Sequence, residues 1–145
     1  MRMKKIFETT YALTSIHRNV AELLQFIKLD STKPLIISLE GDLGAGKTIL
    51  VREILYSLGL SKKIPVLSPT FSYYQIYEID DKKIMHADFY RANRNLGQEF
   101  SDVLGEVTFA FIEWMKSCDL GFSPQYIIKL EYIDENHRKL ECFEI

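Results

Sequence analysis

Only two cysteines, Cys118 and Cys142, occur in the 145 residues, and they are not set in a CxxC pair. A disulfide framework or a structural zinc site is therefore not expected, and a reducing, cytoplasmic setting is. Long hydrophobic runs are missing as well: no stretch reaches membrane-spanning length. Glu8, Thr9 and Thr10 break the early apolar segment that a secretory leader would need. An excess of either charge is also lacking. Eighteen Lys and Arg against 20 Asp and Glu leave a net charge of -2, which argues against a broad basic face able to grip a phosphate backbone unaided. DNA is not an expected partner, and RNA only through another protein. With no repeat, low-complexity tract or linker, residues 1–145 read as one domain, long enough to bury roughly 68–70% of the surface its unfolded chain exposes.

What is present is an ordered series of elements. A short strand is expected around Ile6 to Thr10. A helix follows, with Ile16, Val20, Leu23, Leu24 and Ile27 on one face and Thr14 or Ser15 as its cap. "PLIISLE" reads as a buried strand opened by Pro34. "KTILVREILYSLG" reads as a helix with Leu50, Val51, Ile54, Leu55 and Leu58 inward and Gly59 at its end. "FSYYQIYEI" and "KIMHADFY" about Asp80-Asp81-Lys82 give a hairpin, "NLGQEFSDVLGE" a short helix, and "FAFIEW" a buried strand. "YIIKLEYIDENHRKLECFEI" closes the chain as a hairpin turning near Glu135-Asn136. The expected fold is an α/β sandwich with a mixed central sheet flanked by helices.

The junction between the buried strand and its helix carries the chemistry. Gly41-Asp42-Leu43-Gly44-Ala45-Gly46-Lys47-Thr48 fits G-x-x-x-x-G-K-[ST] without a substitution, in the strand–loop–helix setting the motif requires. Glycines let the backbone N–H groups from Asp42 to Ile49 curl around a phosphate, and the helix aims its positive end at the same place. Lys47 would reach the β- and γ-phosphates of a nucleotide, and the Thr48 hydroxyl would join the shell of Mg²⁺. The competing reading is a glycine-rich turn capped by Thr48.

Such a site needs an acidic partner at the end of a neighbouring strand. Glu113 ends the apolar run Phe109 to Ile112, and Asp88 shares a strand face with His86 and Tyr90. Spacing favours Glu113 on the metal side and Asp88 beside the attacking water, with the roles open to exchange. "SPTF", Ser68 to Phe71, supplies two hydroxyls about a proline; an ordinary turn explains it, and a loop that senses the γ-phosphate is the alternative. A lone strand histidine, His86, reads as structural rather than as a metal ligand. Arg91 reads equally as an arginine finger acting in cis or as a salt-bridge partner. Tyr73, Tyr74 and Tyr77 read as hairpin packing.

Taken together, "GDLGAGKT", "SPTF", "HADFYR" (His86 to Arg91) and "IEW" (Ile112 to Trp114) closely resemble the TsaE family, formerly called YjeE, the small P-loop ATPases of bacterial tRNA threonylcarbamoyladenosine modification. The resemblance runs from Gly41 to Trp114. It implies a P-loop NTPase-type fold and an ATP-binding, ATP-hydrolysing subunit, weakly active alone, that works with the TsaD and TsaB proteins and meets tRNA only indirectly. By position it makes Lys47 and Thr48 phosphate and Mg²⁺ contacts, Ser68 and Thr70 a nucleotide-sensitive loop, Asp88 and Glu113 the acidic pair, and Trp114 a neighbour of the site. Three features depart from the family. Ile49 stands where a second Thr or Ser is common, "RANRNLGQEFSDVLGEVTF" keeps a loose likeness to the family's acidic helix, and no proline follows Glu113-Trp114.

Three other functions use the same loop. A small-molecule or nucleotide kinase needs an acceptor pocket and an arginine-bearing lid, for which no arginine-rich insertion is present. A GTP switch needs an N-K-x-D segment, also absent. A scaffold that never turns nucleotide over would leave Asp88 and Glu113 as spectators.

Overall fold

A computed structural model describes residues 2–29, 34–69, 73–92, 97–117 and 120–145. The elements run β1 (Lys4–Ala12), α1 (Ile16–Leu24), β2 (Leu35–Glu40), α2 (Lys47–Leu58), β3 (Tyr74–Ile79), β4 (Lys82–Asp88), α3 (Gly97–Leu104), β5 (Phe109–Glu113), β6 (Tyr126–Asp134) and β7 (His137–Glu144). Single 3₁₀ turns lie at Leu13–Ser15 and Met115–Ser117. One seven-stranded sheet has the order β1-β7-β6-β2-β5-β4-β3. Its centre, β6-β2-β5-β4, is parallel. Antiparallel pairs close both sides, β3 on β4 and β7 between β6 and β1.

Strand parity sorts the core into two layers, because successive side chains point to opposite faces. Leu35, Ile37 and Leu39 of β2, Phe109 and Phe111 of β5 and Ile84 of β4 face α1 and α2, packing on Val20, Leu23, Leu50, Val51, Ile54 and Leu55. Ile36, Ala110, Ile112, Met85 and Ala87 face the other way, onto Phe100 and Leu104 of α3. Each large aliphatic side chain buried by α2 contributes about 1.5–3 kcal/mol, so α2 and the loop leading into it are firmly anchored. The helix ends as expected at Gly59 (φ 119°). Leu60 N–H donates to Leu55 O (3.0 Å) and Gly59 N–H to Tyr56 O (3.1 Å), the paired bonds of a Schellman motif.

Several expectations are corrected in detail. The first strand runs Lys4–Ala12, well beyond Ile6 to Thr10, because β7 pairs with it along its length whatever its apolar content. α1 stops at Leu24, yet Ile27 is buried just past its end. Ser15 occupies the cap position without capping: its Oγ turns back to donate to Ala12 O (3.2 Å). Leu58 packs against the core as expected but is only half-buried, at the end of α2. Lys82, expected in the turn, already pairs with Ile79, leaving a two-residue loop in which Asp80 takes φ 56°. The closing hairpin turns at Glu135-Asn136, as expected. Cys142 is buried, and burial pushes its thiol up to about 12. Cys118 lies outside the described residues. Among the described residues, no helix is long and apolar enough to cross a membrane.

Candidate functional site

The same parity builds the site. His86 and Asp88 lie on the β4 face that carries Ile84, and Glu113 on the β5 face that carries Phe109 and Phe111, so all three point to the side covered by α2. Asp88 and Glu113 are direct partners in the β4–β5 register, at the carboxyl ends of parallel strands. The loop from Gly41 to Gly46 rises between that end and the start of α2, which places Lys47 and Thr48 in the first helical turn. That first turn presents N–H groups without intrahelical partners.

Two glycines have steric reasons. A Cβ on Gly41 would sit 2.6 Å from Leu130 O of β6, so only glycine lets the loop leave β2 this close to its neighbour. Gly46 takes φ 98°, a left-handed entry to α2.

Lys47 is buried, 5% exposed. Its Nζ donates to Gly41 O (2.5 Å) and Asp42 O (3.0 Å), closing the loop on itself. The ammonium also sits 4.5 Å from the centre of the Trp114 ring. Burial lowers its pKa from the usual lysine value, opposed by the charges of Glu113, Asp88 and Asp42. Thr48 Oγ1 donates to Glu113 Oε2 (2.8 Å), and the same carboxylate oxygen meets His86 Nε2 at 2.5 Å. Asp88 is held from two sides, by Ser68 Oγ at 2.5 Å on Oδ2 and by Tyr90 N–H at 2.9 Å on Oδ1.

Trp114 follows Glu113 directly with φ 58°, uncommon for a bulky residue, and its ring lies 5.0 Å from that of Tyr90. Beside it opens a cleft of ≈ 350 Å³ lined by Leu43, Ser68, Pro69, Tyr73, Asp88, Tyr90 and Arg91. A larger hollow, ≈ 670 Å³, lies under the 60–69 segment against β3 and shares only Ser68 and Pro69 with that cleft.

The structure thus brings together Asp42, Lys47, Thr48, Ser68, Asp88, Glu113 and Trp114, with Leu43 at the cleft and Gly44, Ala45 and Gly46 in the loop. Ile49 is partly exposed, 38%, on the first turn of α2. Thr70 lies outside the described residues. Arg91 lines the cleft and forms no ion pair among the described residues. His86, read as structural, is fully buried against Glu113. One residue escaped the reading of motifs. Arg138, on β7, reaches the loop's carbonyls; its only sequence signal is an arginine in step with the buried Leu140 and Cys142.

The oxygens suit a small hard cation. Thr48 Oγ1 and Glu113 Oε2 stand 2.8 Å apart, close to the roughly 2.9 Å edge of an octahedron with the 2.0–2.1 Å bonds of Mg²⁺. Among the described residues no three His, Cys, Asp or Glu converge on one point.

Comparison with known proteins follows the same outline. Residues 8–140 match the family described as "Threonylcarbamoyl adenosine biosynthesis protein TsaE". The tRNA threonylcarbamoyladenosine biosynthesis protein TsaE of Aquifex aeolicus is 36% identical over 111 residues, 74% of this chain and 76% of that protein. Its namesake in Haemophilus influenzae is 31% identical over 130 residues, 86% of this chain and 79% of that one. The crystal structure of Bacillus subtilis YdiB superposes with a TM-score of 0.74, covering 100% of this chain and 88% of its own, at 20% identity.

Proposed function

Since the chain belongs to the TsaE family, we propose that it is the ATP-binding and ATP-hydrolysing subunit of tRNA threonylcarbamoyladenosine modification, a P-loop NTPase-type sandwich working with the TsaD and TsaB proteins. The observation that carries the reading is the bond from Thr48 Oγ1 to Glu113 Oε2 beside the buried Lys47. Loop hydroxyl, loop lysine and strand-end carboxylate meet at one point, as a triphosphate site demands.

In this reading the nucleotide's phosphates take the place of the carbonyls that now occupy Lys47, and the ammonium turns from Gly41 O and Asp42 O to phosphate oxygens. The N–H groups of the loop and of the first turn of α2 bind the same oxygens. Thr48 and Glu113 would hold Mg²⁺, which supplies charge neutralisation of the β- and γ-phosphates. Glu113 therefore stands on the metal side, oriented from beneath by His86. Asp88, fixed by Ser68 and the Tyr90 amide, orients the attacking water. Ser68 joins Asp88 to the 65–69 segment, so a change at the γ-phosphate has a route into that loop. Trp114 covers Lys47 and packs toward the nucleotide. The absence of a basic excess agrees with a subunit that leaves tRNA to its partners, in a cytoplasmic setting.

The test is phosphate release from ATP by the full chain, alone and with TsaB and TsaD of the same organism, with GTP as control. ATP turnover that rises when the partners are added, together with tRNA modification, is the expected result. No turnover in any mixture refutes the proposal.

A further inference from the structure

Arg138 makes four hydrogen bonds from one buried guanidinium. Nε donates to Ala45 O (3.1 Å) and Nη2 to Gly44 O (3.4 Å), both in the phosphate-type loop. Nη1 donates to Asp134 O (2.6 Å) and His137 O (2.9 Å), at the turn of the β6–β7 hairpin. The group is 7% exposed and lies 4.6 Å from the centre of the Tyr132 ring. Its register partners are Tyr132 on β6 and Tyr11 on β1, so it stands in the middle of a three-strand row.

The need for such a contact follows from the glycines. Gly44 (φ 81°) and Gly46 (φ 98°) flank Ala45 and lack the Cβ that would restrict rotation of the peptide units between them. Something outside the loop must set which way those units face. In a trans peptide, carbonyl and N–H point in opposite directions, and among the described residues no peptide bond is cis. A guanidinium that holds Ala45 O on the hairpin side therefore turns the Gly46 N–H to the side away from the hairpin. The Arg138 side chain also packs against Gly46, its Nε 3.7 Å from where a Cβ would stand. The planar fork reaches two loop carbonyls and two turn carbonyls at once, a task an ammonium on a flexible stem does not reproduce.

We propose that Arg138 is a positioning residue for nucleotide binding: it locks the Gly44–Gly46 backbone in the orientation that presents N–H groups to phosphate, and ties that orientation to the β6–β7 hairpin. The proposal rests on the nucleotide reading above and adds to it a residue outside every motif of the loop.

The experiment compares wild type, Arg138→Met, Arg138→Lys and Lys139→Met, using amide NMR spectra of the full chain without nucleotide and calorimetric titration with Mg-ATP. Lys139 is the adjacent residue on the opposite strand face, paired with Glu8. In Arg138→Met the amide signals of Gly44, Ala45 and Gly46 move and ATP affinity falls at least about tenfold, the loss expected for a pair of charge-assisted bonds. Arg138→Lys falls between, and Lys139→Met matches wild type. If Arg138→Met does not fold, Arg138→Lys, which keeps charge and stem, decides by the same two readouts. Loop signals that stay in place, or that move without loss of affinity, overturn the proposal. A wild-type chain that binds no ATP defeats the nucleotide reading itself and this proposal with it, whereas loss confined to the Arg138 variants requires a binding wild type.

Discussion

Thr48 and Glu113, 65 residues apart in sequence, are joined by a 2.8 Å hydrogen bond from the threonine hydroxyl to the carboxylate. That single contact welds the glycine loop of β2 to the end of β5, and it fixes the point around which the rest of the site is arranged.

Lys47 is the cation of that point. In the proposed reading, replacing it with Ala removes a charge-assisted phosphate contact worth roughly 1.5–3 kcal/mol, so ATP affinity measured by calorimetry should fall at least about tenfold. An unchanged affinity would take the phosphate assignment away from this loop.

In the proposed function the acidic pair serves turnover more than binding. Asp88→Ala and Glu113→Gln should each retain ATP binding while partner-stimulated phosphate release drops about a hundredfold or more, the scale of a lost catalytic proton acceptor or orienting group. Full turnover in both variants would make the two carboxylates spectators.

Gly41→Ala places a methyl group 2.6 Å from Leu130 O. Backbone must move to accommodate it, so the thermal midpoint should drop by several degrees, a shift of about 2–4 °C corresponding to each kcal/mol in a chain near this size. A melt identical to wild type would show that the loop does not press on β6 as described.

Two buried acids make the fold's stability fall at alkaline pH. Burial raises the Cys142 thiol from 9.0 to about 12 and the Tyr11 phenol from 10.0 to about 12. Both groups ionise more readily in the unfolded chain, so their contribution is complete below pH 9 and is lost as pH climbs from 9 toward 12. In a Cys118→Ser background, Cys142→Ala should flatten the decline of the thermal midpoint across that interval. A decline of the same steepness would remove Cys142 as a cause.

Much of this was legible in the sequence because it rests on local pattern. The β2–loop–α2 unit, the α2 face of Leu50, Val51, Ile54 and Leu55, and the hairpins about Asp80-Asp81 and Glu135-Asn136 all follow from periodicity and turn chemistry. Glu113 could be singled out because it ends the apolar run Phe109 to Ile112, and Asp88 because it alternates with His86 and Tyr90 on one strand face. Their pairing across the β4–β5 register could not, since strand order is a tertiary property. The extent of β1 was hidden for the same reason, β7 supplying the pairing that its own residues do not announce. Arg138 was passed over because its partners, the carbonyls of Gly44 and Ala45, lie 93–94 residues away, and the pairing of His86 with Glu113 was hidden by the 27 residues between them. Ser15 misled because its hydroxyl turns back to donate to Ala12 O instead of accepting from the helix N–H groups it was expected to cap.

Trp114 is the only tryptophan in the chain, and its ring centre lies 4.5 Å from the Lys47 ammonium. Titrating Mg-ATP into the full chain while following tryptophan fluorescence therefore reads the central claim at the site itself. The account predicts a saturable change with ATP that disappears in Lys47→Ala. A wild-type signal that stays flat, with no heat of binding in the matching calorimetric titration, would contradict it.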